Sequence, residues 1–419
     1  MPNERTFTYI GFAAITLLLF GLAGWYFFIS RQTANIEGTD LARGFDISIP
    51  SFAGSRGSTV ENIVSGFGER ASSEKKGGAR PPRLWHVNAT PIAGFSFVPH
   101  GTSSLVRFVE RSTGHVFDAD PEGGTVVRRT NTLLPKIYAA HVQGETVIER
   151  FLRDDAVTTF VGQFGTTTED GLLALEGVNL GAHISDIAFL SGTELTFIVS
   201  DAAGTHLVRT KLDGTGAKEI LLLAAGDFKL APLSDGRIVL VERAASGILG
   251  NAYEVSISGT LTPLMRGVPG LTLLPHASSE ALLIGTDSGA GLSLAVKTSA
   301  TGTLLPLSST PTTAEKCAWA PQARSDNAPS TTTRTLVAYC AVPQSPTGTN
   351  FLDNWYRGTV HTTDSWYVVD GSAGTAEEFF AMNNATAIDV ERPVIDKSGN
   401  YIAFMNASDK SLWLLRIAE

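Results

Sequence analysis

The sequence has few charged residues and few cysteines. Only 17% of its 419 residues are Asp, Glu, Lys or Arg, and only two are cysteine. So low a charged fraction disfavours both wholesale disorder and long solvated helices. Hydrophobic residues reach 43% and glycine occurs 42 times, a composition typical of short buried strands joined by tight turns. We therefore expect a folded, all-β chain.

Motifs for the common chemistries are also missing. The histidines stand apart, and neither His-x-His, His-Glu-x-x-His nor Cys-x-x-Cys occurs, so we predict no metal site. A Gly-x-Ser-x-Gly elbow and a phosphate-binding Gly-x-x-x-x-Gly-Lys loop are absent, and we predict no cofactor and no catalytic residues. An enzyme would have to assemble its site from residues of several distant segments.

A basic surface is lacking too. The net charge is −9, and the region from Leu84 onward is more acidic than the whole chain. Because an acidic surface without a basic stripe repels phosphate backbones, nucleic acid is not an expected partner.

What the sequence does contain is a repeat. Residues 391–415 alternate as strand, turn, strand, turn, strand, and the same pattern recurs in 184–199, 228–241 and 271–284. The first strands of these three upstream units begin roughly 43 residues apart. A period of this size with about four short strands per unit predicts a β-propeller.

The period predicts seven blades, with six or eight as alternatives. Residues 84–88 form an isolated apolar strand, and we expect it to complete a last blade that has only three strands of its own. Full blades are predicted at 91–130, 135–180, 183–225, 228–266, 269–308 and 314–381, and only 137–140, 146–151 and 157–161 are predicted as strands in the second.

The repeat resembles that of TolB-type, WD40-like propellers. The resemblance is carried by PVIDKSGNYIAFMNASDKSLWLL (393–415), by 188–216 and by the Ser234-Asp235-Gly236 turn, and it covers about four of the seven units. It implies an extracytoplasmic domain that binds proteins through loops at one mouth of the ring. The proline-aromatic-serine segment that opens the family's repeat is mostly missing here.

An uncharged stretch precedes the repeats. Residues 6–30 contain no charged side chain and end in Trp25-Tyr26-Phe27-Phe28, which predicts a single transmembrane helix that acts as an uncleaved signal-anchor. We thus predict an anchor at 1–30, a flexible linker at 31–83 and the propeller at 84–419. Glycines 11, 21 and 24 leave association through the helix open, and the flanking arginines do not decide the orientation.

The two cysteines fall in the sixth unit. Cys317 and Cys340 are predicted on neighbouring antiparallel strands, where opposed positions allow a disulfide. Two reduced core cysteines are the alternative. A disulfide favours an oxidising compartment, and hence a cytoplasmic N-terminus with the C-terminal head outside the cytoplasm.

The longest connection of the sixth unit, residues 343–365, concentrates aromatic and charged side chains, as a binding loop would. The candidate partner-binding residues are Asp353, Trp355, Tyr356, Arg357, His361, Asp364 and Trp366. A short helix whose Trp355 and Tyr356 pack on the blade is the alternative.

These features together predict a membrane-anchored, extracytoplasmic propeller that acts as a non-catalytic protein-binding or scaffolding module of the cell envelope. Its partner would be an envelope or membrane protein, and the lipid bilayer would contact residues 6–30. One alternative is an extracytoplasmic glycan-active hydrolase or lyase with its site at the channel mouth. A ligand sensor or an assembly subunit is another.

Overall fold

The computed structural model describes residues 80–153, 156–181, 183–224, 226–299, 302–321, 336–382 and 387–418. Within them the chain forms seven four-stranded antiparallel sheets, the blades of a β-propeller. The seven-bladed, all-β prediction is therefore confirmed, and the six-bladed and eight-bladed alternatives are excluded.

The first three blades follow one another along the chain. Blade 1 contains β2 (Ile92–His100), β3 (Ser103–Glu110), β4 (Val116–Ala119) and β5 (Val126–Arg128). Blade 2 contains β6 (Ile137–Gln143), β7 (Thr146–Arg153), β8 (Ala156–Thr167) and β9 (Leu173–Asn179). Blade 3 contains β10 (Ile184–Phe189), β11 (Glu194–Ser200), β12 (Thr205–Lys211) and β13 (Lys218–Leu223).

The next three blades repeat this order. Blade 4 contains β14 (Phe228–Pro232), β15 (Ile238–Glu242), β16 (Leu249–Val255) and β17 (Leu261–Pro269). Blade 5 contains β18 (Thr272–Pro275), β19 (Leu282–Asp287), β20 (Leu292–Lys297) and β21 (Leu304–Pro306). Blade 6 contains β22 (Cys317–Trp319), β23 (Val337–Pro343), β24 (Asp364–Asp370) and β25 (Thr375–Phe380), with a 3-10 helix (Ala314–Lys316) before β22 and α1 (Phe351–Tyr356) between β23 and β24.

Blade 7 is built from both ends of the propeller. It contains β26 (Val390–Ile395), β27 (Tyr401–Asn406), β28 (Leu412–Arg416) and, as its outer strand, β1 (Leu84–Asn88). The β1–β28 register pairs Leu84 with Leu415 and Trp85 with Leu414. An outer strand from the start of the ring thus pairs with the last strand of the chain, which leaves no open seam between the first and last blades.

Tight turns join the strands of a blade, and polar side chains fix them. Between β26 and β27, the Asp396 carboxylate accepts hydrogen bonds from the backbone N–H of Asn400 at 2.7 Å and of Tyr401 at 2.8 Å. Gly399 in this turn has φ 74°, a left-handed conformation that glycine adopts without strain. The Asp-Lys-Ser-Gly-Asn sequence therefore specifies the hairpin.

The hydrophobic core lies between the blades. Each neighbouring pair of blades shares one cluster of buried side chains, and the cluster between blades 7 and 1 joins Leu414 to Phe108. An eighth cluster lies beneath α1, where Phe351 and Leu352 pack with Leu292. Because every blade packs on two others, the ring encloses a central channel lined by the inner strands.

Cys317 and Cys340 form the predicted disulfide, with their Cα atoms 4.1 Å apart. The two residues oppose each other in the β22–β23 register, so the bond lies at the inner edge of blade 6.

One blade differs from its prediction. In blade 2, β8 continues to Thr167 and β9 follows it, although the sequence indicated no strand after residue 161. Exposed polar residues interrupt the apolar alternation by which strands are recognised in a sequence. Gln163 and Glu176, for example, oppose each other in the β8–β9 register.

The predicted anchor, residues 1–30, lies outside the described residues, and so does the predicted linker up to residue 79. In the described part of the chain, no helix has the length and apolarity needed to span a membrane.

Candidate functional site

The connection that the sequence marked as a binding loop lies at one end of the ring. Successive strands of a blade are antiparallel, so a link from a second to a third strand lies at the end where the inner strands begin. We call this the upper end. The β23–β24 connection is such a link, and it places α1 there.

A buried carboxylate on blade 5 fixes the start of α1. Asp287, at the end of β19, accepts hydrogen bonds from Ser246 Oγ at 2.7 Å and from the Leu352 N–H at 3.1 Å. Asp353 in turn accepts a hydrogen bond from the Ser246 N–H at 3.0 Å. The helix is thereby fixed to blades 4 and 5, although blade 6 carries it in sequence.

A buried lysine holds the loop that follows α1. Lys316, at the end of the 3-10 helix, is 0% exposed. Its ammonium group donates to Thr362 Oγ1 at 2.7 Å, to Asp364 Oδ2 at 2.7 Å and to Asp389. All three N–H donors of the ammonium are satisfied, so this charge is fully compensated in the interior.

Asp389 also holds the far end of α1. It accepts hydrogen bonds from Trp355 Nε1 at 2.9 Å, and its Oδ2 lies 3.0 Å from His361 Nδ1. Burial alone would raise the pKa of Asp389, but the Lys316 ammonium and hydrogen bonds from Lys316, His361 and Thr362 hold it below its usual value. The carboxylate is thus ionised at neutral pH and binds α1 to blade 7.

The last residue of α1 lies at the channel mouth. Tyr356 is 42% exposed, and the Lys229 ammonium lies 5.0 Å from the centroid of its ring. Lys229 also forms an ion pair with Glu315 of the 3-10 helix. Burial, followed by the Glu315 charge, raises the pKa of Tyr356, so its hydroxyl stays neutral. The helix therefore presents a neutral aromatic side chain beside the channel.

Blades 2 to 4 supply further residues of the mouth. Arg150 donates to the carbonyls of Ile184 and Ser185 on β10, and its guanidinium lies 5.3 Å from the centroid of the Tyr138 ring. Two further groups lie nearby on blades 3 and 4.

These groups are a carboxylate and an ion pair. Asp186 accepts a hydrogen bond from the Leu230 N–H at 2.7 Å, and burial raises the pKa of its carboxyl group. Arg243, just after β15, pairs with Asp227 at 2.7 Å. Both contacts fix polar groups close to the first residues of an inner strand.

Blade 7 adds a third arginine. Arg392 on β26 is exposed and has φ 53°, a conformation that costs energy in any residue other than glycine. Its charge acts on His141 of β6: burial, then Arg392 and Arg150, lowers the pKa of His141 to about 3. We call the group lining this opening the mouth cluster, which consists of Tyr138, Arg150, Asp186, Arg243, Tyr356 and Arg392.

The structure separates the seven residues that the sequence grouped together. Tyr356 reaches the mouth, and Arg357 is exposed beside it. Trp366 is 0% exposed and packs 5.3 Å from Phe404 in the core between blades 6 and 7. The other four take part in the contacts that hold α1 and its loop in place, and they are Asp353, Trp355, His361 and Asp364.

Sequence reasoning missed most of the mouth cluster, and also the buried anchors Lys316, Asp389 and Asp287. A signal was available, because a charged residue directly precedes several inner strands. These residues are Asp227 before β14, Lys316 before β22 and Asp389 before β26. Aligning the repeats at these positions would have placed all three at the upper end.

Within the described ranges, no group of three or more His, Cys, Asp or Glu side chains could hold a metal ion. The mouth cluster consists of three arginines, one carboxylate and two exposed tyrosines. Arginine and tyrosine side chains of this kind can donate hydrogen bonds to a polar partner and stack on it.

No protein-family model matches the chain, and no curated protein does. Solved structures do resemble it. YCF48 bound to D1 peptide is 13% identical with a TM-score of 0.49, over 80% of this chain and 94% of that one. The computationally designed Ika8 protein is 14% identical with a TM-score of 0.48, over 78% and 97%. TolB from Acinetobacter baumannii is 11% identical with a TM-score of 0.41, over 76% and 65%. At these identities the likeness concerns the fold alone.

Proposed function

We propose that this chain is a non-catalytic protein-binding module whose partner docks on the mouth cluster at the upper end of the ring. The observation that carries the proposal is the pairing of exposed tyrosines with arginine at one opening. Tyr138 is 39% exposed and Tyr356 is 42% exposed, and Arg392 lies at the same mouth. Tyrosine and arginine are enriched among the residues that dominate protein interfaces.

The framework beneath this surface supports binding as well. α1 is held by Asp287 from blade 5 and by Asp389 from blade 7, so Tyr356 is presented from a fixed support. A surface that is ordered before the partner arrives loses less conformational entropy on binding.

The competing function is a glycan-active hydrolase or lyase, and one observation favours it. Three carboxylates, Asp186, Asp227 and Glu315, surround the mouth, and the pKa of Asp186 is raised by burial, as suits a general acid. However, Asp227 pairs with Arg243, Glu315 pairs with Lys229 and Asp186 accepts a backbone N–H. Each carboxylate already has a partner, so we favour binding over catalysis.

Site-specific crosslinking in cells tests the binding proposal. A photoreactive phenylalanine analogue would replace Tyr138 or Tyr356 in the full chain, and Ser258, in a turn at the opposite end of the ring, would be the control position. We expect both mouth positions to yield the same crosslinked protein and position 258 to yield none. Equal crosslinking from all three positions, or none from the mouth, would contradict the proposal. Turnover of a glycan that is lost in Asp186→Asn would favour the enzyme instead.

We further propose that the propeller is held at the outer face of a membrane, with an envelope or membrane protein as its partner. The support is the uncharged stretch 6–30 together with the Cys317–Cys340 disulfide, which suits an oxidising compartment. Two measurements test this. The full chain should stay with membranes at alkaline pH and lose this association when 6–30 is deleted, and its thiols should resist alkylation until a reductant is added.

A further inference from the structure

We propose that the mouth cluster recognises an acidic peptide segment, and that Arg392 binds its carboxylate. This inference rests on the proposed binding function and specifies the chemistry of the partner.

Arg392 is a cation at the mouth that no described side chain pairs with. Lys229 pairs with Glu315 and Arg243 pairs with Asp227. Among the described residues, Arg392 has neither a hydrogen-bond partner nor an ion-pair partner. A guanidinium without an internal partner can bind a carboxylate in two parallel hydrogen bonds.

The backbone around Arg392 is shaped to present it. The register between β26 and β27 shifts between Glu391 and Val394, and Arg392 has φ 53° within this irregularity. Bulges of this kind redirect a side chain, and strained residues of this kind collect at functional sites. The surrounding blade therefore maintains a conformation that serves no internal contact of the arginine.

Arg150 strengthens the positive potential beside Arg392. Its guanidinium donates to two backbone carbonyls, which orient it without cancelling its charge. Asp186 is close enough to act on Arg150, but it accepts a backbone N–H from Leu230. Arg392 of blade 7 and Arg150 of blade 2 thus place two positive charges close enough to act on each other.

The net charge of the protein limits the class of ligand that can bind at the mouth. The net charge of the protein is −9, so a long polyanion such as a nucleic acid would be repelled by the rest of the surface. A peptide can insert one or a few carboxylates into the mouth while its other side chains contact the exposed rings of Tyr138 and Tyr356. An acidic peptide, through a C-terminal carboxylate or through Asp and Glu side chains, satisfies both conditions.

A binding assay with defined peptides tests the inference. The full chain in detergent would be titrated with a labelled tetraglutamate peptide that has a free C-terminus, with its amidated form and with a tetraglutamine peptide that is amidated. We expect the tetraglutamate to bind and the amidated tetraglutamine not to bind up to about 1 mM. Comparing the free and amidated tetraglutamates shows whether the terminal or the side-chain carboxylates are recognised.

Variants then locate the site. Arg392→Gln should weaken tetraglutamate binding by about tenfold or more, and Arg392→Lys by less, because the charge remains while the planar fork is lost. Arg266→Gln, at an exposed arginine on β17, the outer strand of blade 4, is the matched control and should leave binding unchanged. No tetraglutamate binding, equal binding of tetraglutamine, or equal effects of Arg392→Gln and Arg266→Gln would each overturn the inference.

The two proposals can fail separately. If Tyr138 and Tyr356 crosslink a partner in cells and Arg392→Gln leaves that crosslink intact, the partner docks at the mouth without an acidic contact, and only this inference is wrong. If the mouth positions yield no crosslinked partner, the binding function itself fails.

Discussion

Lys316 and Glu149 are both fully buried, but only the Lys316 side chain has hydrogen-bond partners among the described residues. The Lys316 ammonium donates to three oxygen atoms, two of them from carboxylates. Neither oxygen of Glu149 on β7 has a hydrogen-bond partner in the described part of the chain. An unpaired carboxyl group in an apolar interior takes up a proton, and burial raises the pKa of Glu149 to about 8.

Glu149 should make the stability of the propeller depend on pH. The folded state keeps the proton up to about pH 8, whereas the unfolded state loses it near the ordinary value of 4.5. The contribution of Glu149 to the free energy of unfolding is therefore fully present below pH 4.5. It is lost as the pH rises to 8, by about 1.4 kcal/mol per pH unit. Urea unfolding at several pH values should show this slope, and Glu149→Gln should remove it. Glu145→Gln, an exposed neighbour, should keep the slope; the same slope in wild type and Glu149→Gln would refute the assignment.

Removing the Lys316 charge should be far more costly than removing a surface charge. Lys316→Met leaves Asp364 and Asp389 buried without their cation, which should lower the free energy of unfolding by about 4 kcal/mol at pH 7. The loss should shrink at lower pH, because the two carboxyl groups can then be protonated. Lys229→Met, whose side chain is 37% exposed, should cost under about 1 kcal/mol. Similar losses for the two variants in urea unfolding would show that the buried network stabilises the fold little.

At the scale of single elements, α1 is a short helix that cannot be stable by itself. Its six residues are too few for an isolated helix in water, so its contacts with the ring determine its conformation. Asp287 of blade 5 is the main polar contact of α1. It accepts hydrogen bonds from the Ser246 hydroxyl and the Leu352 N–H. Its position in the Gly-Thr-Asp-Ser-Gly turn also lets it accept the Gly289 N–H at 2.8 Å.

Asp287→Ala should therefore release α1 without unfolding the ring. Loss of charge-assisted hydrogen bonds worth about 2 kcal/mol should speed amide hydrogen exchange in 351–357 by roughly 30-fold. The strands of the other blades should exchange at unchanged rates. Asp370→Ala is the matched control, because Asp370 fixes a comparable turn by accepting the Ser372 N–H at 2.8 Å. Unchanged exchange in 351–357 would mean that apolar packing alone holds the helix.

The individual elements also show which contacts could be predicted from the sequence. The Cys317–Cys340 pair was predictable because a repeat places both residues on neighbouring strands of one blade. The Lys229–Glu315 pair was not, because the two residues lie 86 positions apart on different blades. A period assigns residues to equivalent positions, but it does not say which long side chains meet across the channel. For the same reason Trp366 was predicted to bind a partner, since its neighbours in the sequence suggested a binding loop. Its position on β24 instead directs its side chain into the core.

At the scale of the whole molecule, the seven blades form one closed unit through a strand from the start of the ring. The fold was readable from the sequence because its period, turns and isolated first strand all indicate the same closed arrangement. Interactions at the seam support it: His86 stacks on Trp413 with their ring centroids 4.2 Å apart, and Arg83 donates to the Arg416 carbonyl. The mouth depends on this closure, because Arg392 and Arg150 belong to blades on opposite sides of the seam.

Replacing β1 should consequently damage the whole ring, whereas replacing another outer strand should not. In the full chain, a Gly-Ser segment of equal length in place of Leu84–Asn88 removes the pairing with β28 and exposes that edge. We expect the free energy of unfolding to fall by at least about 3 kcal/mol, and aggregation to increase because an unpaired edge strand recruits other chains. The same replacement of Leu304–Pro306, the outer strand of blade 5, leaves the ring closed and should cost much less. Equal losses in urea unfolding, with equal elution in size-exclusion chromatography, would show that each blade is stabilised separately and that the seam has no special role.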